Sequence, residues 1–211
     1  MYMRWILAIL LGVLQTSATS PLLNPDSPEM KRRAPDEFKI RFETTNGNFV
    51  LEVHRAWSPI GVDHFYNLVR NGYYNDTRFY RVVPDRWTQF GVSGDAKVAT
   101  TWRTRTIQDD PRVVSNTLGT VAFAYAVKNG RTTQIFINTR DNSATHDVEP
   151  FVPFAKVSEG WDVVLKLYSE YGENSGGGIR AGRQDPMFSE GNAYLDREFP
   201  KLDKLIRAVI F

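Results

Sequence analysis

Strict alternation opens the folded part of this chain and constrains it more than any other feature. Phe38, Ile40 and Phe42 fall on one side of an extended segment. Phe49, Leu51 and Val53 fall on one side of the next, and Asn46-Gly47 lies between them. Successive side chains of a strand point to opposite faces, so each segment has one apolar and one polar face. Asn-Gly favours the type I′ turn, whose twist suits a two-residue hairpin loop. A β-hairpin is therefore predicted at 38–53, with one face committed to a core.

After the hairpin the period changes. Ser58-Pro59 offers a capping hydroxyl followed by proline at the first helical position. Val62, Phe65 and Val69 share a helical face with Leu68 beside them, and Gly72 stands where that helix should stop. Shorter apolar runs predict strands at 79–83, 121–125, 134–138 and 154–157. A second helix is predicted at about 160–168, with Val164, Leu165 and Tyr168 on its inner side. The last stretch, 192–211, alternates apolar and charged residues and is expected to pack onto the body. The pattern predicts a mainly β fold, a closed barrel with helices over its open ends. Closure removes exposed strand edges. The glycine-rich stretch 176–182 has no strand leading in and no Lys-Ser/Thr after it, so it reads as a flexible loop.

The flanking segment carries an address. Arg4 precedes an apolar run from Trp5 to Leu14, and small residues follow, with Thr16 and Ala18 at the spacing of a cleavage site. Ten apolar residues are half of the about 20 that a bilayer span needs. Residues 1–18 therefore read as a secretory signal peptide. The mature chain is expected to be exported, to a periplasm, the medium or an ER lumen, with no stable membrane insertion after cleavage. Residues 19–36 hold four of the eleven prolines and read as a solvated linker. The domain then occupies 37–211, ending in a C-terminal extension.

Composition removes whole classes of chemistry. There is no cysteine, which excludes disulfides, thiolate chemistry, Cys-ligated zinc and iron–sulfur clusters. His54, His64 and His146 are far apart and read as structural or surface residues. Lys and Arg total 26 against 24 Asp and Glu, a net charge of +2 that argues against bulk nucleic-acid binding. Lys97, Arg103, Arg105 and Arg112 accordingly read as a solvated loop, and Asp109-Asp110 before a proline as a turn.

One polar–aromatic set remains. In a strand at 79–83, Arg81 shares a face with Phe79 and Val83, and a bare buried arginine is costly. It needs either an ion-pair partner at the barrel edge or a groove. Gln89 follows within Trp87-Thr88-Gln89-Phe90, and Gln134 and Phe136 share a face of another strand. A groove lined by Arg81, Gln89, Gln134 and Phe136 sets an apolar ring beside hydrogen-bond donors. It has no nucleophile and no strong general base, which suits a reaction breaking no bond between heavy atoms.

These residues carry a resemblance. Phe79-Tyr80-Arg81-Val82-Val83-Pro84, Gln89-Phe90-Gly91 and Thr133-Gln134-Ile135-Phe136-Ile137 resemble the cyclophilin family of peptidyl-prolyl isomerases. Phe65-Tyr66-Asn67-Leu68-Val69, Gly72-Tyr73-Tyr74, Gly119-Thr120-Val121-Ala122-Phe123-Ala124 and Pro153-Phe154-Ala155-Lys156-Val157 extend it in order. The resemblance implies an eight-stranded antiparallel barrel capped by two helices. It implies rotation about X–Pro bonds that assists the folding of exported proteins. Its ligands would be proline-containing peptides and unfolded client proteins, with no cofactor, no metal and no nucleic acid, and the chain would act as a monomer.

Carried over by position, Arg81 is the catalytic arginine, Gln89 the substrate-positioning glutamine and Phe136 the aromatic wall of the proline pocket. Gln134 is a groove glutamine, and Ala124 and Tyr125 belong to the strand that contacts the peptide backbone. Phe151 stands where the family often has His, and His146 where a pocket-lining Leu is usual. Arg86 and Trp87 depart from the family's Phe-Met. Trp87 is expected to restore apolar pocket surface. Arg86 is expected at the groove mouth, favouring peptides with an acidic residue near the proline. The same departures leave open a second reading, an exported cyclophilin-like peptide-binding module with little or no isomerase activity.

Overall fold

The computed structural model describes residues 20–176 and 183–211. The expected leader at 1–18 and most of the glycine-rich loop lie outside these residues. Among the described residues nine strands form one antiparallel sheet: β1 (Glu37–Thr44), β2 (Gly47–His54), β3 (Thr77–Arg78), β4 (Arg81–Val83), β5 (Trp87–Phe90), β6 (Thr120–Phe123), β7 (Ile135–Asn138), β8 (Pro153–Glu159) and β9 (Lys204–Ile210). Their spatial order is β3-β9-β1-β2-β8-β6-β7-β5-β4.

The two ends of that order are neighbours in the chain. Only Phe79 and Tyr80 separate β3 from β4, and both are fully buried. Taken as one bent strand, 77–83 pairs with β9 at its start and with β5 at its end. The sheet curls shut through this bend, and counted so it has the eight strands the resemblance implied. The bend also changes a face. Phe79 and Val82 enter the core, while Arg81 and Val83 are only partly buried, so Arg81 does not share the side of Phe79 as a straight strand would require.

The first hairpin forms as its alternation dictates. Phe38 faces Val53, Ile40 faces Leu51 and Phe42 faces Phe49 across the ladder, and all six are buried. Its turn differs from the expected type I′. Thr44 pairs with Gly47, leaving Thr45 and Asn46 as the loop; neither takes a positive φ, and Gly47 after them does, at 121°. Type I′ needs positive φ at both central residues. Here Asn46 is held otherwise, its amide nitrogen donating to Asp203 Oδ2 at 2.7 Å.

Helix α1 (Pro59–Arg70) buries Val62, Phe65, Leu68 and Val69 in the same core. Its start corrects two sequence readings. The Ser58 hydroxyl makes no capping bond to the helix and instead donates to Asp110 Oδ2 at 2.6 Å. Asp110 itself accepts from the amides of Ile60 and Gly61, both at 3.0 Å. The Asp109-Asp110 pair is thus no simple surface turn. A remote carboxylate satisfies the orphan N–H groups that every helix start leaves.

The second expected helix is α4 (Trp161–Leu165), shorter than predicted. It buries Val163 and Val164, whereas Leu165 is exposed, so the inner side is shifted by one residue. Among the described residues four further α-helices form that the sequence pattern does not predict: α2 (Ala96–Trp102), α3 (Ser143–His146), α5 (Asp185–Glu190) and α6 (Asn192–Glu198). Met187, Phe188 and Leu195 of α5 and α6 join Tyr80 and Ala99 in a second apolar cluster. The proline-rich stretch 20–36 is not a solvated spacer. Met30 and Ala34 are buried, Leu22 and Leu23 pack on the core, and Trp102 donates its indole N–H to the Leu22 carbonyl at 2.8 Å. Among the described residues no helix is long and apolar enough to cross a membrane.

Candidate active site

Strand register brings the polar and apolar candidates into one row. Arg81 on β4 faces Gln89 on β5, Gln89 faces Phe136 on β7, and Phe136 faces Ala122 on β6. All nine residues singled out from sequence, namely Arg81, Trp87, Gln89, Ala124, Tyr125, Gln134, Phe136, His146 and Phe151, line one groove of about 490 Å³.

One side of the groove is a directed hydrogen-bond relay. Arg81 Nη1 donates to Gln89 Oε1 at 2.8 Å, and Gln89 Nε2 donates to Gln134 Oε1 at 2.8 Å. The Tyr80 hydroxyl also donates to Gln134 Oε1. Arginine can only donate, so the orientation of both amides follows from it. Gln89, Gln134 and Tyr80 are all buried. Burial pushes the Tyr80 phenol far above its ordinary pKa, with the Gln89 bond and the Arg81 charge opposing, so it remains a neutral donor. Tyr80 is a site residue that sequence reading missed. In an unbroken strand it would have faced away from Arg81.

The other side is aromatic. Phe136 meets His146 edge-on at 5.4 Å and Phe151 at 5.2 Å between ring centroids. His146 lies 4.8 Å from Phe151 and 5.7 Å from Trp87, and Tyr125 lies 4.8 Å from Phe151. Trp87 therefore supplies the expected ring surface. Burial lowers the His146 pKa, Arg140 adds to that effect and Asp147 opposes it. Its imidazole is accordingly uncharged at neutral pH and serves this wall as a ring.

Arg86 does not itself line the groove but lies beside Trp87, a ring that does. The turn after β4 carries Asp85 at a φ of 54°, and Arg86 is exposed outside the groove lining. Its guanidinium carbon sits 6.0 Å from the centre of the Trp87 ring. The stem and the stacking satisfy it there, with the charge in water.

Two residues hold the groove from behind. His64, partly buried, donates its Nε2 hydrogen to the Thr132 carbonyl at 2.7 Å. Arg131 has no exposed surface, approaches Asp109 and Asp110 at 3.1 and 3.2 Å, and lies 5.8 Å from the Phe123 ring centre. His54, by contrast, stacks on Trp57 away from the groove. Arg103, Gln184 and Phe188 add a wall from α2 and the C-terminal segment. Of the basic stretch around them, Arg103, Arg105 and Arg112 are all ion-paired, to Asp185, Asp26 and Asp147.

A curled β-barrel with an aromatic pocket beside an arginine–glutamine relay is the arrangement that the resemblance to peptidyl-prolyl isomerases implied. The comparisons agree. Residues 39–183 match the cyclophilin type peptidyl-prolyl cis-trans isomerase/CLD family. Peptidyl-prolyl cis-trans isomerase A of Dickeya dadantii is 31% identical over 81% of this chain and 87% of its own length. Peptidyl-prolyl cis-trans isomerase B of Escherichia coli is 26% identical over 81% of this chain and 97% of its own length. A cyclophilin-type isomerase structure from Cryptosporidium parvum superposes with a TM-score of 0.60 at 16% identity, covering 83% of this chain and 98% of that one, which shows a shared fold. The chain belongs to the cyclophilin-type peptidyl-prolyl cis-trans isomerases, and its enzyme class is that of the isomerases.

Proposed function

We propose that this groove rotates X–Pro bonds in unfolded segments of exported client proteins, with the chain working as a monomer. The observation that carries the reading is the single row of Arg81, Gln89 and Phe136, which sets a cation two strand pairings from an aromatic pocket with a glutamine between them. The Cryptosporidium parvum relative was also solved in the presence of the dipeptide Ala-Pro, which supports proline peptides as the ligand class. The setting outside the cytoplasm rests on the leader read at 1–18.

Amide resonance gives the X–Pro bond a barrier of about 18–20 kcal/mol. Uncatalysed exchange takes tens to hundreds of seconds. Reaching milliseconds needs about 10⁴- to 10⁵-fold acceleration, or about 5.5–7 kcal/mol. Phe136, with Trp87, His146 and Phe151 around it, holds the proline ring while the preceding carbonyl turns. The prolyl nitrogen loses conjugation as the bond twists and becomes a better acceptor, and Arg81 donates to it. That bond strengthens only in the twisted state, which is the condition for catalysis. Gln89 fixes the guanidinium, Gln134 offers its remaining amide hydrogens to the peptide, and Ala124 and Tyr125 flank the peptide backbone.

The test is cis-to-trans relaxation of a proline tetrapeptide with the parent chain and Arg81→Ala. Loss of most of the rate in a folded variant supports the assignment. Full activity in the variant removes Arg81 from the mechanism, and peptide binding without turnover by the parent returns the binding-module reading.

A further inference from the structure

Arg81 is held from a third direction that the relay does not explain. Glu173 receives Arg81 Nε at 2.9 Å and Nη2 at 2.8 Å, a bidentate pair across 92 positions of sequence. Arg81 Nη1 is already committed to Gln89 at 2.8 Å, and the guanidinium carbon lies 4.9 Å from the Trp87 ring centre. Glu173 therefore holds one edge, Gln89 one corner, and Trp87 one face. Three of the five guanidinium N–H groups are engaged, which leaves one on each terminal nitrogen.

The placement of Glu173 decides what this pairing does. Arg81 and Gln89 line the groove, and Glu173 does not. The carboxylate grips Arg81 from outside the space a peptide would enter. Its own backbone is fixed there. The Ser175 hydroxyl donates to the Tyr80 carbonyl at 2.6 Å, and a Cβ on Gly176 would come within 2.3 Å of the Tyr80 ring. An isolated surface ion pair contributes little, but a bidentate arginine–carboxylate fork on a fixed backbone also fixes orientation.

We propose that Glu173 is a positioning residue for Arg81, holding the guanidinium plane so that its two remaining N–H groups face the twisting X–Pro bond. The inference rests on Arg81 being the catalytic donor. Without Glu173 the side chain keeps one directed bond, to Gln89, and rotates about it. A neutral glutamine cannot replace the fork, because one of its two terminal atoms is itself a donor.

The experiment measures kcat and KM for an uncharged proline tetrapeptide with the parent, Glu173→Gln, Arg81→Ala and the double variant, each checked for folding by circular dichroism. A small displacement of a catalytic group costs rate more than affinity, so Glu173→Gln should lose about tenfold in kcat with KM within about twofold. Screening weakens a partly exposed pair, so high salt should lower kcat of the parent and leave Glu173→Gln flat. In the Arg81→Ala background the Glu173 change should have no effect. If Arg81→Ala keeps the parent rate, the donor assignment itself fails. If Arg81→Ala is slow while Glu173→Gln matches or exceeds the parent, Glu173 does not position Arg81 and this inference alone is overturned. An equal loss of rate in the double variant over Arg81→Ala would likewise overturn it, as an effect not passing through Arg81.

Discussion

Arg131 Nη2 lies 3.2 Å from Asp110 Oδ2, with both side chains sealed from solvent, and the pair ties the rim of the groove to the first turn of α1. Asp110 faces that helix with its other contacts, to Ser58, Ile60 and Gly61. Arg131 is therefore a structural cation at the centre of three elements.

Arg131→Met should be severely destabilising. Removing one partner of a buried pair leaves an uncompensated charge, at a cost of about 3–5 kcal/mol. Urea unfolding of parent and variant at neutral pH measures it. The double change of Arg131→Met with Asp110→Asn should recover part of the loss, since the orphaned charge is then gone. A single variant within about 0.5 kcal/mol of the parent would contradict the role.

His64 makes stability depend on pH in a defined window. Burial lowers its pKa from 6.5 to about 4, with the Arg131 charge adding to the effect and the Thr132 bond opposing it. At pH above 6.5 the imidazole is neutral in both folded and unfolded chains, so it adds no slope. As pH falls from 6.5 towards 4 the unfolded chain takes up a proton that the folded chain refuses, and stability drops. The full shift corresponds to about 3 kcal/mol. Unfolding curves between pH 4 and 7 should show this slope, and His64→Gln should flatten it.

Tyr80→Phe removes a donor to Gln134 and an acceptor near Gln89 without changing the ring. Leaving buried amides short of a partner costs about 1–3 kcal/mol. Both glutamines also lose part of what orients them, so isomerase activity should fall several-fold. Denaturation midpoints and tetrapeptide relaxation rates, taken on the same preparations, check both halves.

Arg86→Ala should leave charge preference intact. The side chain is exposed on the Trp87 ring and outside the groove lining, where screening limits its reach. The kcat/KM ratio for paired Glu and Lys peptides at low salt is the measurement. A several-fold change on substitution would mean that the Arg86 charge reaches the bound peptide.

Much of this was legible because its cause is local. The rungs Phe38–Val53, Ile40–Leu51 and Phe42–Phe49 follow from alternation alone, and the face of α1 from helical spacing. The groove residues came from ordered motifs, and register then gathers them. What was not legible depends on partners far along the chain. Asp110 reads as a turn because Asp-Asp-Pro has turn chemistry, and nothing nearby announces a helix start 50 positions earlier. Glu173 reads as one more loop carboxylate until Arg81 is beside it. Tyr80 is hidden by a bend between β3 and β4, which the strand-like pattern of 79–83 conceals. The prolines of 20–36 suggest extended backbone, yet Pro21 and Pro28 each open a short 3-10 helix, and the segment lies on the barrel rather than in water.

The relay has a polarity, and it runs one way. Arg81 gives a hydrogen to Gln89, Gln89 gives one to Gln134, and the Gln134 amide nitrogen has no partner among the described residues. Both ends of this side-chain network thus expose hydrogens: the unused guanidinium N–H groups at one, an amide NH₂ at the other. A backbone laid across it is met by donors and is read through its oxygens and lone pairs. Proline is the one residue whose backbone brings an acceptor and no N–H of its own. Under the proposed function, the groove meets proline through the only hydrogen-bonding role that its backbone has.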